Sequence, residues 1–99
     1  MPRCILKLRD RYFEWSTIVD APVAGPFTLD ELRTYVQRRY GDEGMLGLTD
    51  RLVRVEHCGT SFFGTTAAEL IAGNRAGPGE SELSEEQILQ HYQAVADGL

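Results

Sequence analysis

Apolar and polar residues alternate along the first twenty positions of the chain, which predicts a β-hairpin. Pairing Leu8 with Phe13 and Leu6 with Trp15 around a turn at Asp10-Arg11 puts the apolar residues on one face. We expect this face to cover the core. The other opposed pairs of the same register are Cys4 with Thr17, Lys7 with Glu14 and Ile5 with Ser16.

A loop and a helix are predicted to follow the hairpin. Residues 20–27 contain two prolines and a glycine, a composition typical of loops. Thr28 and Glu31 form a capping box, and the apolar residues after them recur at helical spacing. The pattern therefore predicts a helix over about residues 29–40, which ends at Gly41.

A third strand is predicted in the middle of the chain. Residues 42–50 are rich in acidic residues and glycine, which indicates a loop with at most one helical turn. Residues 51–58 alternate again, with Val53, Val55 and His57 on one face. This alternation is typical of a strand.

Two more helices are predicted in the last third of the chain. One of the threonines in Thr65-Thr66 caps a short helix that ends at about residue 72. Residues 73–79 are a loop because they contain three glycines and a proline. Ser84 begins a further capping box, and the helix after it extends over about residues 85–96.

These elements predict an α+β domain in the order ββαβαα. A small antiparallel three-stranded sheet with one apolar face, packed against two or three helices, would bury the apolar stripes. The pattern leaves open whether the third strand joins beside the first strand or the second. At 99 residues, with 42% hydrophobic and 25% charged residues, the chain is expected to form a single soluble domain over residues 1–99.

The net charge of −5 at pH 7 comes from the C-terminal part of the chain. Residues 1–75 hold ten basic and ten acidic residues, whereas residues 76–99 hold five acidic residues and no basic one. A nucleic-acid-binding protein needs an excess of Lys and Arg, so nucleic acid is not an expected partner. No apolar run approaches the roughly 20 residues that span a bilayer, so we expect a cytoplasmic protein without a membrane partner.

Candidate metal ligands and nucleophiles are present but poorly spaced. Cys4, His57, Cys58 and His91 are residue types that bind zinc. Adjacent strand residues such as His57 and Cys58 point to opposite faces, which argues against a metal site and against a Cys–His nucleophile. Ser16 lies in a predicted strand without a nucleophile elbow. The sequence therefore predicts no metal, no cofactor and no enzyme activity.

Residues 73–79 are the most distinctive segment. Glycine-rich backbone can bind an anion, and Arg75 would add a guanidinium group. However, Pro78 lacks an N–H donor, and the carboxylate of Glu80 would repel an anion. Two interpretations remain: a structured connector in which Arg75 bonds to a helix end or a carboxylate, or a partner-binding loop that includes Asn74.

Two adjacent phenylalanines, Phe62 and Phe63, follow the turn at Thr60-Ser61. Side chains on an extended segment alternate, so at most one of the pair is expected in the core. Further apolar residues, namely Ile5, Tyr12 and Ile18, fall on the non-core face of the predicted hairpin. Such a surplus indicates a surface for a partner or for a second copy of the chain. The predicted partner-binding residues are Phe62, Phe63, Asn74 and Arg75.

Two segments of the chain, residues 12–23 and residues 68–78, resemble small accessory proteins encoded by bacteriophages of actinobacteria. The resemblance extends from the first strand to the last helix. One departure is Ala24-Gly25-Pro26-Phe27, where the family has a tyrosine or a glycine-methionine pair. The resemblance implies a small protein made in the cytoplasm of an infected cell, not essential to the virion, that binds a host or phage protein.

The sequence thus favours a small non-enzymatic protein-interaction module. The alternative is a ligand-binding or regulatory domain that uses the loop at residues 73–79 with Arg75. A mimic of DNA is disfavoured, because five net charges cannot reproduce a duplex with about one charge per 1.7 Å.

Overall fold

A computed structural model describes the backbone of residues 3–98 and the side chains of residues 3–94. Three strands open the chain and form one antiparallel sheet in which β2 lies between β1 and β3. The three strands are β1 (Arg3–Leu8), β2 (Arg11–Ser16) and β3 (Ala21–Phe27). This antiparallel sheet, followed by helices, confirms the predicted α+β fold class.

Four α-helices, joined by turns and loops, follow the sheet. They are α1 (Leu29–Leu46), α2 (Leu48–Cys58), α3 (Ala67–Ala72) and α4 (Glu85–Gly98), with a short 3-10 turn at Pro78–Glu80. The order βββαααα replaces the predicted ββαβαα. None of the helices within residues 3–98 combines the length with the apolar composition that crossing a bilayer requires.

The sheet is covered on both faces. Trp15 and Phe13 lie on one face with no solvent exposure and pack against residues of α3 and α4, among them Ile88. Ile5 and Tyr12 lie on the other face and pack against α1 and α2. The prediction of a single apolar face is therefore wrong, and Ile5 and Tyr12 are core residues instead of surface ones.

The register of the first hairpin differs from the predicted one by two residues. Leu6 lies opposite Phe13, and Trp15 lies opposite Cys4, because the turn consists of Arg9 and Asp10. Side chains in a strand alternate with a period of two, so a shift of two positions leaves every residue on its face. The faces are confirmed, whereas the opposed pairs are corrected.

Strand β3 occupies the segment predicted to be a loop. Its prolines, Pro22 and Pro26, are tolerated because β3 is an edge strand with β2 as its neighbour. The pairing of β2 with β3 shifts register on either side of Glu14, which accommodates the irregular backbone. The third strand of the sheet is therefore β3, which lies beside β2, and not the strand predicted at residues 51–58.

Helix α2 occupies the segment predicted to be the third strand. Leu48, Leu52 and Val55 recur at helical spacing and pack against the sheet, while Val53 is exposed. Over a run this short, the same residues satisfy a strand pattern and a helix pattern, and burial against Ile5 and Tyr12 favours the helix.

The predicted capping boxes are present at the helix starts. Thr28 accepts a hydrogen bond from the Glu31 N–H, while the Glu31 carboxylate accepts one from the Thr28 N–H. Thr66 caps α3. Ser84 and Gln87 exchange the same pair of bonds before α4. Helix α1 is interrupted at the predicted end, Gly41, whose φ of 69° favours glycine, and then continues for another turn.

Candidate functional site

The turn at residues 60–63, here called the aromatic turn, is fixed to the free edge of β1. Thr60 bridges to Leu6, and the Ser61 hydroxyl accepts a hydrogen bond from the Ile5 N–H at 2.8 Å. Thr60 and Ser61 are both buried. The backbone that carries the two phenylalanines is therefore held by the sheet.

Both phenylalanines of the aromatic turn are exposed. Phe63 is 76% exposed and Phe62 is 40% exposed, so neither belongs to the core. The guanidinium of Arg54 on α2 lies 4.3 Å from the centroid of the Phe63 ring, and its Nε donates to the Ser61 carbonyl at 3.0 Å. The cation–π contact thus stabilises the position of the exposed ring, and the hydrogen bond fixes Arg54 to the backbone of the aromatic turn.

The loop at residues 73–79, here called the connector loop, is bonded to the turn between β2 and β3. The Arg75 guanidinium lies 3.2 Å from the Asp20 carboxylate and donates to the Ile18 carbonyl at 2.9 Å. It also reaches Glu80 at 3.4 Å. Since these acceptors occupy the guanidinium, the structured-connector interpretation is favoured for this segment.

Asn74, a predicted partner-binding residue, is only 2% exposed. Its amide nitrogen donates to the carbonyls of Ile71 and Leu83, both at 2.6 Å. Its oxygen accepts from the N–H groups of Ala76 and Leu83. The side chain therefore holds the connector loop between α3 and α4.

The candidate nucleophiles and metal ligands are dispersed. Cys4 is buried beside Thr60, and burial raises the pKa of its thiol. His57 and Cys58 are exposed on α2 rather than on a strand, and His91 is exposed on α4. Within residues 3–98, no group of three or more His, Cys, Asp or Glu side chains is arranged to hold a metal ion.

Ser16 is buried rather than exposed on a solvent face. It lies opposite Arg3, not opposite Ile5 as the predicted register required. Its hydroxyl accepts hydrogen bonds from the N–H groups of Ile18 and Val19, at 3.2 and 3.4 Å. Ser16 therefore shapes the turn after β2.

A polar cluster that the sequence does not predict surrounds Glu14. This carboxylate is buried on the β2 face that α1 covers. It accepts hydrogen bonds from Arg3 at 3.0 Å and from the Tyr35 hydroxyl at 2.7 Å, and a further one from the Tyr40 hydroxyl. Three donors from β1 and α1 therefore satisfy one buried carboxylate, and Arg3 supplies the compensating positive charge.

The cluster forms the floor of a pocket of about 340 Å³, here called the Glu14 pocket, between the sheet and the bend in α1. Gly44 lets the bend close, because a Cβ there would lie 2.5 Å from Cβ of Tyr40. Arg51 on α2 donates to the Gly44 carbonyl at 2.6 Å and stands at the rim. The pocket combines apolar walls with an arginine at its edge.

The Glu14 cluster makes the protein less stable at alkaline pH. Burial, followed by the hydrogen bond to Glu14, raises the pKa of Tyr35 to about 12, and the same causes raise the pKa of Tyr40. A tyrosine in the unfolded chain has a pKa of about 10. The stabilising contribution is therefore complete below about pH 10 and is lost as the pH rises to about 12.

We expect the free energy of unfolding, measured with urea, to fall between about pH 10 and about pH 12. Tyr35→Phe removes the titrating hydroxyl, so the decline should be shallower in that variant than in the parent protein. Equal slopes for the two proteins would show that Tyr35 does not cause the decline.

Comparison of the chain with protein-family models, with curated proteins and with solved structures gives no match. The exposed aromatic turn and the Glu14 pocket are therefore the features on which a function can be based.

Proposed function

We propose that this protein is a non-enzymatic interaction module that binds a host or phage protein through the aromatic turn. The observation that carries the proposal is Phe63, an aromatic side chain that is 76% exposed and backed by Arg54. Aromatic residues and arginine are enriched among the residues that dominate binding energy at protein interfaces.

The rigidity of the aromatic turn supports the proposal. Buried Thr60 and Ser61 tie the turn to β1, and Arg54 ties it to α2. A surface that is already ordered loses less conformational entropy when it binds, so more of the contact energy appears as affinity. Loops held by a fixed scaffold are common sites of recognition for the same reason.

The resemblance of residues 12–23 and 68–78 to accessory proteins of actinobacterial phages supports the choice of partner class. A protein of that kind acts in the cytoplasm of the infected cell, where host and phage proteins are the available partners. The origin of the chain and its location are parts of this proposal.

The test is affinity capture from an actinobacterial lysate, followed by titration calorimetry with the purified partner. Phe63→Ala should weaken binding by about 2 kcal/mol, roughly 30-fold in Kd, because a central aromatic anchor is lost. Leu46→Ala is the matched control, since Leu46 is an apolar side chain on α1 that is 85% exposed. Circular dichroism should show both variants folded.

Two outcomes would contradict the proposal. In the first, the partner binds Phe63→Ala as tightly as the parent protein. In the second, Leu46→Ala weakens binding as much as Phe63→Ala does, which would indicate nonspecific hydrophobic association. Loss of partner binding on Arg75→Ala, with Phe63→Ala unaffected, would instead place the contact with the partner at the connector loop.

A further inference from the structure

The Glu14 pocket is separate from the aromatic turn and plays no part in the proposed interaction. Its volume of about 340 Å³ lies at the lower end of the range for small-molecule sites. Leu32 and Val36 of α1, which pack with Ile5 of the sheet, contribute apolar lining. Apolar walls with a few placed polar groups are typical of such sites.

The buried carboxylate at the floor has little capacity left for a cation. One oxygen of Glu14 accepts from both Arg3 and Tyr35, and the other accepts from Tyr40. Arg3 already supplies the compensating positive charge. An ammonium or guanidinium ligand would therefore have to compete with three donors that the protein provides.

The Arg51 guanidinium at the rim, in contrast to Glu14, has hydrogen-bonding capacity left for a ligand. Arg51 is half-buried and donates one hydrogen bond, to the Gly44 carbonyl. No carboxylate forms an ion pair with it within the part of the chain that the structure describes. A guanidinium has five N–H donors in a fork that matches a carboxylate, so most of the binding capacity of Arg51 is unused.

We infer that the Glu14 pocket binds a small organic anion, with its carboxylate on Arg51 and its apolar body against Leu32 and Val36. Glu43, also at the rim, is exposed to water, which screens its charge. The hydroxyl groups of Tyr35 and Tyr40 donate to Glu14, and their oxygens retain lone pairs. They can accept from a hydroxyl group on the ligand.

Benzoate is a suitable probe because it joins one carboxylate to a flat apolar ring. Titration into the isotope-labelled protein, followed by NMR, should give saturable shifts of the Leu32 and Val36 methyl groups and the Tyr35 ring. Benzylamine and benzyl alcohol have nearly the same shape but a positive charge or none. Benzoate should bind at least about tenfold more tightly than either, because only it forms a charge-assisted pair with Arg51.

Arg51→Gln should weaken benzoate binding about tenfold or more. Arg33→Gln is the matched control, because Arg33 is exposed on α1 and does not line the pocket. The Arg33→Gln protein should bind benzoate with the same affinity as the parent protein. The comparison of benzoate with benzylamine needs only the parent chain, so it decides the inference even where Arg51→Gln does not fold.

Three results would overturn the inference. The first is the absence of benzoate-induced shifts at Leu32, Val36 and Tyr35. The second is binding of benzylamine as tight as that of benzoate, and the third is an unchanged benzoate affinity in a folded Arg51→Gln protein. None of these results bears on capture by the aromatic turn, so the two proposals stand or fall separately.

Discussion

Replacing Trp15 with alanine should remove a large fraction of the free energy of unfolding. Trp15 has no solvent exposure and lies at the centre of the sheet face that packs against α3 and α4. Removing so large a buried side chain costs about 3–5 kcal/mol. Since a domain of this size is stabilised by about 5–15 kcal/mol, the loss is a large fraction of the total.

Urea unfolding followed by circular dichroism measures this loss. Trp15→Phe is the informative control, because phenylalanine keeps much of the buried volume and removes the indole N–H, which has no hydrogen-bond partner among the described residues. Its midpoint should lie between those of the parent and Trp15→Ala. A Trp15→Ala protein whose urea midpoint equals that of the parent would contradict the position of Trp15 in the core.

Features decided by neighbouring residues could be predicted from the sequence. The Thr28 box before α1, the Thr66 cap of α3 and the Ser84 box before α4 are all present. Each depends on hydrogen bonds that span three residues, so local sequence is sufficient to identify it. The faces of the first hairpin follow for a similar reason, because alternation is a local property.

Features decided by distant neighbours could not be predicted. Residues 51–58 alternate like a strand, yet their burial against Ile5 and Tyr12 makes them part of helix α2. The two prolines of residues 21–27 indicate a loop, yet they are compatible with β3 because that strand lies at an edge of the sheet. In both cases the tertiary environment overrides the local signal.

The aromatic turn could be predicted from local sequence, whereas the Glu14 pocket depends on residues far apart in the chain. The exposure of at least one phenylalanine at residues 62–63 follows from alternation along one segment. The Glu14 pocket requires Tyr40, 26 positions away, to meet a strand residue. The available clue is that Glu14 shares its face with apolar Ile5 and Tyr12, both of which are buried. A charged residue on a buried face needs partners, and folding supplies them from α1.

Asn74→Ala should destabilise the protein by about 3 kcal/mol, the second largest effect that we expect from a single substitution. The Asn74 amide makes four hydrogen bonds, to the carbonyls of Ile71 and Leu83 and to the N–H groups of Ala76 and Leu83. Alanine makes none of them. The side chain is buried, so water does not readily replace the lost partners.

Arg75→Ala is the matched control in the same loop. Arg75 also makes several contacts, but its ion pairs with Asp20 and Glu80 and its hydrogen bond to the Ile18 carbonyl are accessible to water, and exposed ion pairs contribute at most about 1 kcal/mol. Urea unfolding should therefore separate two adjacent residues with similar numbers of partners. Equal losses for the two variants would contradict this account, because burial would then not decide which hydrogen bonds hold the connector loop.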